Sequence, residues 1–131
     1  MLCRLESDYT LKEYTQYHDC GKPACKEVDA NGRVHFPNHA EISANTYRLN
    51  MFMPCKTVEK LIRMDMVVHK MKADEIAEFA KVPEAVSLLF TALAEVHANS
   101  ELFGGIDSTS FKIKWKHINK RGCALLKSFE V

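Results

Sequence analysis

Residues 17–23 read Tyr-His-Asp-Cys-Gly-Lys-Pro and residues 35–44 read His-Phe-Pro-Asn-His-Ala-Glu-Ile-Ser-Ala, with a polar turn between them. The first segment sets His18 beside Asp19, and an imidazole nitrogen next to a carboxylate oxygen is the mixed donor set that suits Zn, Mn, Fe and related divalent metals. Gly21-Lys22-Pro23 is expected to end a helix just past those residues, since glycine suits a C-terminal cap and proline cannot continue the ladder. Lys22 then falls within a turn of the doublet, where its charge could offset that of an anionic substrate. His39 adds a second imidazole at the start of the next segment.

Working outward, the pattern is helical almost throughout. Residues 8–19 read as a helix with Thr10 as N-cap and Glu13 at capping-box spacing; Leu11, Tyr14 and His18 share one face. Asn31-Gly32 between short alternating runs predicts a small β-ribbon near residues 27–35. Pro37-Asn38 supplies a turn and cap for a helix over 39–50. After Pro54, Thr57 is expected to cap a second long helix, with Glu59 at its positive end. On it Val58, Leu61, Ile62, Asp65, Val68 and His69 form one stripe. A short helix is predicted over 73–80, and another from Pro83 to about residue 99. There Val86, Leu89, Phe90, Leu93 and His97 make the expected buried stripe. Residues 109–119 alternate like a strand, but the helical context favours a final pair of helices broken near Gly122.

The 131 residues are expected to form one domain, and 47% hydrophobic with 27% charged residues is an ordinary globular composition. A formal net charge of +1 makes no case for broad nucleic-acid or membrane binding. No run reaches the roughly 18 apolar residues of a membrane span, and the N-terminus carries no signal-like apolar core. Five cysteines, at 3, 20, 25, 55 and 123, contain no Cys-x-x-Cys pair. They read as reduced, mostly buried thiols of a cytoplasmic protein.

Four of the six histidines, His18, His39, His69 and His97, come from separate segments, and at least three lie on faces predicted to turn inward. Each alone could simply bond a backbone carbonyl. Several buried imidazoles would each cost a few kcal/mol without partners, and convergence on a metal explains them together. His35 and His117 sit on polar, alternating stretches and read as surface residues.

These segments resemble the HD-domain metal-dependent phosphohydrolases. The likeness lies in His18-Asp-Cys-Gly-Lys-Pro, the Asp29-Ala-Asn-Gly-Arg turn and Phe36-Pro-Asn-His-Ala. It extends to the HD domains attached to bacterial tRNA nucleotidyltransferases and to similar stand-alone or phage proteins. The resemblance implies an all-α, compact HD-like helical bundle over residues 1–131. It implies one or two divalent metals, with Mn, Fe, Ni, Co, Zn and Mg all open. The implied reaction is hydrolysis of a phosphomonoester or phosphodiester of a nucleotide or RNA end. His18 and Asp19 match the family's metal-binding doublet, while His39 and His69 match the further histidines of two-metal members. His97 stands where the family has a late aspartate, with Glu95 and Asp107 as neighbouring carboxylates. The family also begins with a histidine-bearing helix upstream, whereas none of the 17 residues before His18 is histidine. Two expectations stay open: a naturally minimal domain whose pocket is open on that side, or an N-terminally truncated one, a fragment or short form that exposes apolar surface where the helix would lie and so tends to homo-oligomerise.

The implied chemistry has two metals about 4 Å apart, bridged by Asp19, clamping the attacking hydroxide and a phosphate oxygen. Lys22, helped by Arg33 or Lys70, offsets transition-state charge, and Asp65 orients His69 from behind. Two other classes stay open. One is a non-catalytic HD-like module that binds nucleotides or a protein. The other is a plain helical interaction domain.

Overall fold

The computed structural model describes residues 6–129. Apart from one two-stranded antiparallel ribbon, the secondary structure of those residues is helical. Among the described residues the chain divides into two compact units, one of Ser7–Met66 and one of residues 67–129 together with Glu6. What was expected of residues 1–5 lies outside the described residues.

In the first unit, α1 (Asp8–Tyr17) starts one turn earlier than Thr10 suggests. Ser7 is the N-cap, in extended backbone, and its hydroxyl accepts the Thr10 N–H at 3.3 Å. Tyr14 is buried, and His18, one turn on, stands edge-on to it with ring centroids 6.0 Å apart. The face shared by Tyr14 and His18 is therefore as the spacing predicts. The helix closes at Tyr17, and the His18 N–H still donates to the Tyr14 carbonyl at 2.8 Å.

Gly21 is not a left-handed cap, for its φ is −88°. Its role is close approach. A β-carbon there would lie 2.5 Å from the Ser43 backbone nitrogen and 2.8 Å from the Ile42 carbonyl carbon. Only glycine lets the turn press onto α3 (His39–Asn50), where the Gly21 N–H donates to Ser43 Oγ at 2.9 Å. Pro23 then sits in the first turn of the short α2 (Lys22–Cys25), a position that suits its missing N–H.

The ribbon joins β1 (Glu27–Val28) to β2 (Val34–His35), with Glu27 opposite His35 and Val28 opposite Val34. The Gly32 N–H donates to the Asp29 carbonyl at 3.0 Å, and Gly32 takes a φ of +77°. This is the three-residue hairpin loop, a turn followed by a left-handed glycine, rather than a two-residue turn.

Helix α4 (Lys56–Arg63) begins at Cys55 rather than Thr57 and stops at Met64, so the long helix expected here is interrupted. No glycine or proline marks the interruption. Val58, Leu61 and Ile62 are fully buried, each contributing about 1.5–3 kcal/mol of apolar burial. They pack α4 against α1 and α3. Arg63 ties α4 to α3 polarly, donating to Glu41 and, at 3.3 Å, to Asn45 on α3, and to Glu59 of its own helix at 2.9 Å. Tyr47 closes this core, donating to Glu13 Oε1 at 2.7 Å while its oxygen accepts the Cys55 N–H at 2.9 Å. Burial, with the Glu13 carboxylate adding to it, pushes the Tyr47 phenol up to about 12, so it remains a donor at any ordinary pH.

The second unit contains α5 (Val67–Lys70), a 3₁₀ turn at Ala73–Glu75 running into α6 (Ile76–Phe79), α7 (Ala85–Ala98), a second 3₁₀ turn (Ser100–Phe103) and α8 (Thr109–Ser128). The buried face of α7 is Ala85, Leu88, Leu89, Ala92 and Val96, whereas Phe90 is 56% exposed and His97 is exposed. The face is thus rotated from the expected one. It uses the small Ala85 and Ala92, which permit close helix packing. Helix α8 runs unbroken through Gly122. A β-carbon at Gly122 would come within 2.9 Å of Leu89 Cδ1, so the glycine serves the α7–α8 crossing instead of a break. Ser108 caps α8, accepting the Phe111 N–H at 3.1 Å.

Of the four described cysteines, Cys20, Cys25 and Cys55 are half-buried and Cys123 is exposed. All four are free thiols, though less buried than composition suggests. Among the described residues, no helix is long and apolar enough to cross a membrane.

A candidate metal centre

Within the Ser7–Met66 unit, the end of α1, the start of α3 and the turn after α4 converge on four side chains. His18, Asp19 and Asp65 each offer a donor atom, and the three atoms lie within 4.8 Å of one another. His39 Nε2 stands 3.8 Å from Asp19 Oδ1 and 3.9 Å from Asp65 Oδ2. His18 Nε2 is 3.5 Å from Asp19 Oδ2.

The backbone sets which imidazole nitrogen faces the carboxylates. His18 Nδ1 lies 2.7 Å from the Thr15 carbonyl, and His39 Nδ1 lies 3.3 Å from the Phe36 carbonyl. A carbonyl can only accept, so each Nδ1 carries the proton when the ring is neutral, and each Nε2 turns its lone pair toward the acids. Just before His39, Asn38 starts α3 with a φ of 55°, a left-handed conformation that asparagine tolerates.

Each acid has its own support. Asp65 is buried at 4% exposure, and Tyr14, itself buried, donates its hydroxyl to Asp65 Oδ1. Lys22 Nζ donates to Asp19 Oδ2 at 2.8 Å and lies 5.4 Å from the centroid of the Phe36 ring. Asp19 Oδ1 is buried and accepts no hydrogen bond among the described residues. Burial pushes the neighbouring Cys20 thiol up, with the Asp19 charge adding to it, so Cys20 is no activated nucleophile.

These distances discriminate between hydrogen bonding and ligation. An N–H···O bond closes to about 2.7–3.2 Å. Two donors on one cation at about 2.1 Å stand roughly 3–4 Å apart. The His–Asp separations of 3.5, 3.8 and 3.9 Å fall in the second range. The donors fit a divalent cation by chemistry as well as by spacing: two imidazoles, two carboxylates, and in Asp19 Oδ1 a buried acid oxygen without a hydrogen bond among the described residues.

Of the residues singled out in the sequence, His18, Asp19, Lys22 and His39 are thus brought together. His69 and His97 belong to the other unit, and within neither unit do all four histidines meet. His69 Nε2 lies 4.0 Å from Glu95 Oε2, and within the Ser7–Met66 unit Asp65 engages Tyr14 and His39. His97 is exposed, with Nδ1 2.8 Å from the Leu93 carbonyl and its ring edge-on to Phe111 at 5.3 Å. His35 is on the surface as expected. His117 is half-buried instead, and its Nε2 is buried without a hydrogen bond among the described residues. Sequence spacing alone does not mark Tyr14 as a partner of the acids, nor the ligand-like placement of Asp65. The visible signal is that Asp65 shares a stripe with the apolar Val58, Leu61, Ile62 and Val68.

No family model, curated protein or solved structure matches this chain. The functional reading therefore rests on the geometry of this centre.

Proposed function

We propose that the chain is a metal-dependent phosphohydrolase acting on a phosphomonoester or phosphodiester of a nucleotide or RNA end, with a divalent cation held by His18, Asp19, His39 and Asp65. The observation that carries the reading is the buried Asp19 Oδ1, 3.8 Å from His39 Nε2 and without a hydrogen bond among the described residues. A divalent cation supplies Lewis acidity there, drawing charge from a phosphoryl oxygen and lowering the pKa of water. Tyr14 holds Asp65 in place, and the Thr15 and Phe36 carbonyls fix both imidazoles in the ligating tautomer. Lys22 braces Asp19 and carries positive charge beside it, toward the phosphate of a bound ester.

The test is metal content after dialysis against Mn²⁺ or Zn²⁺, followed by turnover of bis-p-nitrophenyl phosphate and 2′,3′-cyclic nucleotides. One bound equivalent and metal-dependent turnover are expected. Asp19→Asn should lower metal affinity by more than the 10–100-fold typical of an outer partner. Bound metal without turnover would leave a binding module. Unchanged metal content in the Asp19 variant would remove this centre as the site.

A further inference from the structure

The net charge of +1 conceals a strong segregation. Helix α8 (Thr109–Ser128) carries six basic residues and no acidic one, so the remaining twelve basic residues face all seventeen acids elsewhere in the chain. Lys112, Lys116 and Lys120 recur every four residues. Successive members turn only about 40° around the helix and rise about 6 Å. All three are exposed, and among the described residues none of them makes an ion pair. Lys127 continues the same stripe. Like charges at this spacing destabilise a helix slightly, so an unneutralised ladder of them calls for an external counter-charge. Beside the ladder stands the chain's one tryptophan, Trp115, 39% exposed.

We infer that the exposed face of α8 binds single-stranded nucleic acid, its lysine ladder tracking the phosphates and Trp115 stacking on a base. The ladder is built for a linear polyanion rather than a point charge, since its cations extend along about 12 Å of helix. An exposed aromatic on the flank suits an unpaired base, whose face is open, better than a duplex, whose bases are stacked away. An anionic membrane is the poorer match. The continuous apolar face of α8 (Phe111, Ile118, Gly122 and Leu125) is already buried within its own unit, and the exposed Ile113 and Leu126 stand 13 residues apart, too far to form one inserting face. The inference does not depend on the metal centre.

Because Trp115 is the sole tryptophan, its fluorescence reports binding directly in the full chain. Titration with a thymidine oligonucleotide of about 15 nucleotides, in EDTA so that the metal centre plays no part, should quench it. The logarithm of the binding constant should fall with that of salt concentration with a slope of roughly −2 to −3, as expected for three or four phosphate contacts on a single strand. Combined Lys112→Gln, Lys116→Gln and Lys120→Gln substitutions should weaken binding at least tenfold with helicity unchanged. Should that variant misfold, the salt slope of the unaltered chain carries the test. A slope near zero, equal affinity for the corresponding duplex, or tighter binding to phosphatidylserine vesicles would overturn the inference. So would unchanged affinity in the folded glutamine variant.

Discussion

Two histidine–aspartate arrangements lie in the Ser7–Met66 unit, and they are built oppositely. On the hairpin, Asp29 is saturated. Its Oδ1 accepts the N–H groups of Asn31 and Arg33 at 2.8 and 3.0 Å, and its Oδ2 meets His35 Nε2 at 2.8 Å. At the candidate centre, Asp19 Oδ1 accepts no hydrogen bond among the described residues, and the imidazole facing it stops at 3.8 Å. One pair has closed to hydrogen-bond distance and does the work of a clasp. The other is held apart at the spacing of ligands around an ion, by backbone carbonyls behind the rings and by Tyr14 and Lys22 beside the acids. Residue type does not separate a site from a clasp. Separation and saturation do.

That contrast breaks most severely where the backbone itself sets the spacing. Gly21→Ala places a methyl group 2.5 Å from the Ser43 nitrogen, so α3 must move away from the turn that carries Asp19. The obstacle is backbone, which yields less than a side-chain tip, so the cost should sit at or above the usual 1–3 kcal/mol of overpacking. Thermal unfolding should show it, together with a loss of metal uptake greater than that of any hairpin substitution. Retention of both stability and metal content would mean that the close approach of Gly21 does not set the position of Asp19.

A milder change sharpens the comparison. Tyr14→Phe keeps the ring against His18 but removes the hydroxyl donated to Asp65. Loss of an outer partner of this kind should reduce metal affinity by about 10–100-fold, measured by competition with a chromophoric chelator. A structural role alone would lower the melting temperature and leave metal affinity untouched. A positioning role moves both.

How much of this could be read in advance follows from which forces are local. The His18-Asp19 doublet, the ribbon at Asn31-Gly32 and the start of α3 at His39 follow from turn chemistry and spacing, so they were legible. The shared face of Tyr14 and His18 was legible for the same reason. The interruption at Met64 was not, because no residue there breaks helices; what marks the place is the buried Asp65 and its bonds to other segments. In the sequence Gly21 and Gly122 look like local breakers. Both are instead required by a neighbouring element that no local window contains. The rotation of the buried face of α7 belongs with them, since the choice between Ala85 and Phe90 for burial is made by the helix opposite.

The smallest expected effect isolates the clasp from the centre. The His35 ring, aided by the Arg33 and Asn31 N–H groups, holds the Asp29 carboxyl below its ordinary range. A carboxyl whose pKa is depressed by folding contributes stability above its unfolded value of about 3.9, and loses that contribution as pH falls through the lower folded value. The loop should therefore loosen only in acid below about pH 4, seen as loss of the Asn31 and Arg33 amide shifts in an NMR titration. Asp29→Asn should remove this acid transition, since asparagine does not titrate there, while global melting moves little because the group lies on an exposed loop. Metal affinity at neutral pH should be unchanged. If it falls in Asp29→Asn to the degree seen in Tyr14→Phe, the hairpin is coupled to the centre, and the two histidine–aspartate arrangements are not independent devices.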